Sequence, residues 1–142
     1  MKTTNRILLL GLAMALALSQ AEAVSANARP VELMQTDTLV GSGRLALPGN
    51  TVSVHYRAWL YAPAAPRQRG AGFDTSAGGA PFSFTLGAGR VIKGWDEGVR
   101  GMRVGGKRTL IVPSQMAFGK TGRAAVPPGA NLIFDIELVA VK

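Results

Sequence analysis

His55 is the sole histidine of this chain, and there is no cysteine. A metal site built on imidazole and thiolate ligands therefore lacks its usual donors. A Ser-His-Asp arrangement would need His55 beside a nucleophile and an orienting acid. It lies instead in an alternating stretch, on the face turned away from the apolar residues, where a structural role is expected. The acids offer no pair suited to glycoside chemistry. Asp96 and Glu97 are adjacent on a helical stripe, so their side chains diverge. Asp135 and Glu137 project from the outer face of the last strand rather than across a cleft. Gly41 to Ala46, GSGRLA, fits a dinucleotide fingerprint, but Pro48-Gly49-Asn50 stops the helix that must follow it. Gly101 to Lys107 has phosphate-loop spacing, yet Arg108 stands where Ser or Thr must bind Mg²⁺, and a strand follows where a helix belongs. Gly119-Lys120-Thr121 has the other half of that motif, with Ser114 in place of its first glycine. What remains is Asp74, flanked by Phe73, and a small aromatic set: Tyr56, Trp59, Tyr61, Phe73, Phe82, Phe84, Trp95, Phe118 and Phe134. On composition alone such residues are a core.

The elements that must position them follow from periodicity. Thr38-Leu39-Val40 is a short strand ended by Gly41-Ser42-Gly43, and Leu47 to Asn50 is a turn. Thr51 to Leu60 alternates, with Val52, Val54, Tyr56, Ala58 and Leu60 on one face, as a half-buried strand requires. Tyr61 to Gly72, with two prolines and two glycines, is expected to be a long loop. Pro81 to Leu86 forms a strand. Ile92, Trp95, Val99 and Met102 mark one short amphipathic helix, with Asp96 and Glu97 early and Arg100 and Arg103 late, which suits the helix dipole. Lys107 to Val112 and Leu132 to Val141 are strands, the latter placing Leu132, Phe134, Ile136, Leu138 and Ala140 on one face. About five strands and one helix predict an α+β architecture, in which the helix covers the apolar face of a curved antiparallel sheet.

At 142 residues the chain suits one domain. Lys2 and Arg6 precede the apolar run Ile7 to Leu18, and Ala21-Glu22-Ala23 follows as a small-x-small site. This is the pattern of a cleavable secretory signal over residues 1–23. The run is shorter than the roughly 20 residues a spanning helix needs, so no integral membrane anchor is expected. Without a cysteine after the run it is not a lipoprotein signal. Residues 24–36 are expected to be a loose tail, residues 37–142 the domain, and the bacterial periplasm the destination. The net charge is +8, but Arg44, Arg57, Arg67, Arg90, Arg103 and Arg123 are scattered, which fits a solvated basic surface better than a nucleic-acid site.

The order of motifs carries more than any one of them. Val54-His55-Tyr56, Phe73-Asp74-Thr75-Ser76, Pro81-Phe82-Ser83-Phe84, Val91 to Gly98 (VIKGWDEG), Met102 to Lys107 (MRVGGK), Ala117-Phe118-Gly119 and Pro127 to Asp135 (PPGANLIFD) occur in succession. This sequence resembles the FKBP (immunophilin) family of peptidyl-prolyl cis-trans isomerases over about residues 37 to 142. The resemblance implies a five-stranded antiparallel half-barrel wrapped around a short helix. It implies a pocket between them lined by Tyr56, Phe73, Asp74, Phe82, Val91, Ile92, Trp95, Phe118, Val126 and Phe134. Trp95 would be the floor, Phe73, Phe82 and Phe134 the walls, and the Ile92 backbone N–H a donor to a substrate carbonyl. Tyr56, Phe73, Asp74, Phe82, Ile92, Trp95, Phe118 and Phe134 would then serve catalysis, with Val91 and Val126 binding substrate. The implied partners are proline-containing polypeptides and ligands of the macrolide immunosuppressant type, with no cofactor.

Rotation about an X-Pro bond needs neither proton transfer nor nucleophile, so a chain without cysteine, triad or metal can still catalyse it. This chain departs from the family in several places, and Arg57-Ala58 stands where Thr-Gly is common after the Tyr. Phe118 stands where Tyr is usual and lacks its hydroxyl. Ala77-Gly78-Gly79-Ala80 offers no arginine to Asp74. The segment from Tyr61 to Gly72 is longer than the minimal family domain has. No dimerising helical extension precedes the domain, which points to a monomer. A weakly catalytic or non-catalytic peptide-binding chaperone using the same pocket is the alternative.

Overall fold

The computed structural model describes residues 30–142; the expected signal segment and the first part of the expected tail, residues 24–29, lie outside them. Six strands and one short helix follow in order: β1 (Met34–Leu39), β2 (Thr51–Tyr61), β3 (Arg69–Thr75), β4 (Phe82–Thr85), α1 (Lys93–Gly98), β5 (Lys107–Val112) and β6 (Leu132–Val141). The strands form one antiparallel sheet in the order β1-β5-β6-β2-β3, with β4 paired to the first part of β2. The expected α+β plan is therefore present, with a sixth strand.

β2 and β6 form the centre of the sheet. Ala58 lies opposite Phe134 and Tyr56 opposite Ile136, so the apolar faces of both strands point to the same side. Val52, Val54, Ala58, Leu132, Phe134, Ile136 and Leu138 are buried there together with Leu110 and Val112 of β5. A half-buried sheet gains its stability from this side-chain alternation.

α1 reaches the sheet through two glycines. A Cβ at Gly94 would come within 2.4 Å of Val112 Cγ1, and one at Gly98 within 2.6 Å of Leu110 Cδ1. Four residues apart, they share one helix face and bring the backbone of α1 onto β5. Trp95 is thereby held over the sheet, 5% exposed.

The sequence reading is corrected at three places. The helix ends at Gly98, so Arg100 and Arg103 lie beyond it, although Val99 and Met102 still enter the core. Its terminal carbonyls are served by buried Arg108, whose Nη1 donates to Gly98 O (2.8 Å) and Arg100 O (3.0 Å). The same guanidinium donates to Asp37 Oδ1 from Nε (2.6 Å) and to Asp37 Oδ2 from Nη2 (3.2 Å), which ties β1 to β5 and to the helix end. Met34 to Thr36 therefore belong to β1 rather than to a loose tail, and Val40 lies past the strand. The expected loop over 61–72 is a hairpin. β2 runs through Tyr61, Pro66–Gln68 form a 3₁₀ turn, and β3 returns from Arg69. Arg69 fixes this hairpin by pairing with Asp135 on β6 and lying over the Trp59 ring, 5.1 Å from its centroid.

Candidate active site

Trp95 is the floor of an open hollow of about 380 Å³ between α1 and the sheet. Tyr56 and Phe134 approach its ring edge-on, with centroids 4.9 and 5.4 Å away, while Phe82 and Phe84 lie at 6.0 and 5.8 Å. Edge-to-face aromatic contacts of this kind fix ring orientation as well as bury area. The indole Nε1 is buried among these rings with no hydrogen-bond partner among the described residues. Phe73 on β3 stands edge-on to Phe134, 6.4 Å between centroids, and Phe82 on β4 is 43% exposed at the rim.

Separate elements deliver these groups. Inward alternation of β2 supplies Tyr56, and that of β6 supplies Phe134. Val91 and Ile92 come from the turn that enters α1. Phe118 and Val126 come from the segment between β5 and β6. All ten residues anticipated from the sequence line this one hollow: Tyr56, Phe73, Asp74, Phe82, Val91, Ile92, Trp95, Phe118, Val126 and Phe134. Arg90, Arg123, Ala124 and Ala125 complete the lining and were not anticipated.

The polar groups are few. Asp74 Oδ2 accepts the Tyr56 hydroxyl at 2.8 Å, and its Oδ1 accepts the Thr75 N–H at 2.8 Å. Burial, and then the hydrogen bond and negative charge of Asp74, push the Tyr56 phenol up to about 12. It therefore remains a neutral donor throughout the physiological range. No arginine pairs with Asp74 among the described residues. The N–H of Ile92 has no acceptor among them either.

A larger hollow of about 590 Å³ lies over the outer face of the sheet. Its lining brings together His55, Arg57, Arg67, Lys107, Arg108, Asp135 and Glu137, and it lacks the cluster of aromatic rings that walls the smaller hollow. His55 Nδ1 lies 2.9 Å from Ser76 Oγ there. That hydroxyl accepts the Tyr56 N–H at 2.8 Å, and no carboxylate is hydrogen-bonded to the imidazole among the described residues. The pair ties β2 to the loop after β3, and no orienting carboxylate completes a triad with it among the described residues. The smaller, aromatic hollow is the site candidate.

Residues 43–139 match the family described as FKBP-type peptidyl-prolyl cis-trans isomerase, FKBP_C. The chain belongs to this family. It is 45% identical over 111 residues to the FK506-binding protein of Neisseria meningitidis serogroup A, covering 77% of this chain and 95% of that one. It is 46% identical over 106 residues to FK506-binding protein 4 of Neurospora crassa, covering 75% of this chain. The matched segment is only 21% of that longer relative's length. The crystal structure of AtFKBP13 superposes with a TM-score of 0.67 at 35% identity, covering 78% of this chain and 93% of that one. Membership in the FKBP family agrees with the antiparallel sheet, the short helix α1 and the aromatic hollow between them.

Proposed function

We propose that this chain is a peptidyl-prolyl cis-trans isomerase that assists the folding of exported proteins by rotating X-Pro bonds without covalent chemistry. The observation that carries this reading is the convergence of Trp95, Tyr56, Phe73, Phe82 and Phe134 from α1, β2, β3, β4 and β6 on one apolar hollow. A pyrrolidine ring laid on Trp95 meets apolar walls on several sides. The free Ile92 N–H can donate to a carbonyl beside the proline.

Twisting an amide opposes a barrier of about 18–20 kcal/mol, set by resonance between nitrogen and carbonyl. The planar ground state is the more polar one, because resonance places charge on oxygen and nitrogen. Apolar walls solvate that polar form less well than water does, and less well relative to the twisted form. Walls shaped to the twisted bond add differential binding, and each 1.4 kcal/mol or so so gained is about tenfold in rate. The hydrogen-bonded Tyr56–Asp74 pair holds a dipole at the rim while the reacting bond itself exchanges no proton.

Residues 1–23 act in this reading as a cleaved secretory signal and the mature protein as a periplasmic monomer. The Lys2–Arg6 start, the apolar run and the Ala21–Ala23 site support export. Among the described residues no helix is long and apolar enough to cross a membrane. The clients are proline-containing polypeptides, and ligands of the macrolide immunosuppressant type fit the same hollow. Phe118 favours a second reading, a chaperone of low catalytic power, because its ring brings no hydroxyl to the lining.

The test is refolding of a protein whose slow phase is limited by prolyl isomerisation. The isomerase reading expects substoichiometric protein to accelerate that phase. Suppressed aggregation with an unchanged slow phase would replace it with the chaperone reading. Amino-terminal sequencing of the protein recovered from a periplasmic fraction tests export, and a chain still beginning at Met1 would contradict it.

A further inference from the structure

Arg90 and Arg123 both line the aromatic hollow, and both are exposed. Neither meets a carboxylate within ion-pair distance among the described residues, where the ion pairs are Arg69–Asp135, Lys93–Glu97 and Arg108–Asp37. Asp74 is the sole acid of the lining. Its two oxygens accept from the neutral Tyr56 hydroxyl and Thr75 N–H, so two arginines face one carboxylate and the lining keeps a positive excess.

Both arginines are carried on anchored backbone. Arg123 opens a two-residue hairpin closed by reciprocal bonds, Arg123 N–H to Val126 O at 3.0 Å and Val126 N–H to Arg123 O at 2.7 Å. Its turn places Ala124 at φ 46°, a left-handed conformation that a non-glycine residue adopts only when the surroundings impose it. The guanidinium lies over the Phe118 ring, 5.7 Å from the centroid. A planar cation on an aromatic face keeps its in-plane N–H donors free to point outward. Arg90 follows a turn pinned to α1 by one carboxylate: Asp96 Oδ1 accepts the Gly87 N–H and Asp96 Oδ2 the Gly89 N–H, each at 2.9 Å. The mouth therefore presents two cations against one acid beside apolar walls, and such walls focus the field of the positive excess into the hollow.

We infer that this mouth selects X-Pro segments bearing a carboxylate next to the proline, with Arg90 and Arg123 as specificity-determining residues. The inference deepens the isomerase reading and rests on it for the position of the proline ring. Glu and Asp flanking the proline are the favoured neighbours. Lys and Arg are disfavoured there.

The test uses peptides matched in size and differing in charge: Glu-Pro against Gln-Pro, and Pro-Glu against Pro-Gln. Both isomerisation kcat/KM and calorimetric affinity are measured with the purified protein. At low salt, wild type prefers the acidic member of at least one pair by roughly three- to fivefold, the scale of exposed charge pairs. The preference falls toward unity in high salt, which screens exposed charges, and in the Arg90→Gln/Arg123→Gln double variant. Equal handling of both members in wild type overturns the inference. So does a preference that survives in the double variant. A Leu-Pro peptide run alongside separates the two claims. Without acceleration of Leu-Pro the isomerase reading fails, while a charge-dependent affinity difference still upholds the selectivity of the mouth.

Discussion

Tyr56 on β2 donates its hydroxyl to Asp74 on β3 across 2.8 Å, at the rim of the aromatic hollow. The bond joins two strands whose Ala58–Asp74 register already brings them side by side. It also fixes the edge that Tyr56 turns toward Trp95. The raised phenol gives this bond a pH signature. A folded pKa of about 12, above the ordinary 10.0, means that its contribution is whole below pH 10 and is lost as pH rises through about 12. An ultraviolet titration of phenolate should show a tyrosine ionising near pH 12 that disappears in Tyr56→Phe. Activity should show no inflection from Tyr56 between neutrality and pH 10. A titration in which Tyr56→Phe removes only a phenol of ordinary value would contradict the account of the site.

Phe118 lines the hollow without a hydroxyl. Phe118→Tyr adds a donor beside the bound peptide, and one such bond contributes about 0.5–1.5 kcal/mol net. The variant should raise kcat/KM on a Leu-Pro peptide by roughly two- to tenfold. An unchanged or lower value, with the fold intact by circular dichroism, would show that no substrate group lies within reach of position 118.

Gly94 and Val112 leave no room for a methyl group between α1 and β5. Gly94→Ala gains helix propensity but overpacks this seam, and should destabilise by about 1–3 kcal/mol in urea unfolding. Val112→Ala removes the two methyl carbons nearest that position. The double variant should therefore be more stable than the sum of the single losses implies. Strict additivity would mean that the helix does not rest on β5 at this point.

Arg108 is 5% exposed and joins Asp37, Gly98 and Arg100. Arg108→Met should lose about 2–4 kcal/mol in the same unfolding measurement, because two carbonyls and the Asp37 carboxylate are left without their donor. Asp37→Asn keeps the carbonyl bonds and should lose less. Equal losses would place the energy in the ion pair rather than at the helix end.

The parts of the fold legible in the sequence are those where side-chain period decides the outcome. Val52 to Leu60 and Leu132 to Ala140 alternate because one face of each strand is buried, and the register of β2 with β6 follows that alternation. β1 and β3 carry no such signal. MQTDTL is exposed along its whole length and is a strand by virtue of its ladder with β5 and the Asp37–Arg108 pair. RGAGFDT contains two glycines and is held by β2 and by the Arg69–Asp135 pair. The helix stops short of its apolar stripe because Gly101, at φ 85°, turns the chain, so Met102 reaches the core from outside the helix. The ten lining residues were accessible through the succession of motifs, which records their convergence although they are far apart in the chain. Arg90 and Arg123 were not, because in a chain of net charge +8 two more surface arginines look like any others. Only the placement of Arg123 over Phe118, and of Arg90 after the turn that Asp96 pins, distinguishes them.

The most direct test is two-dimensional NMR exchange on a short Leu-Pro peptide with substoichiometric protein. A hollow that binds proline over Trp95 and rotates its bond predicts cis–trans exchange cross-peaks at mixing times where the peptide alone shows none. It also predicts their strong reduction in a folded Phe73→Ala variant. Exchange no faster than that of the free peptide, with the wild-type protein folded, would contradict it.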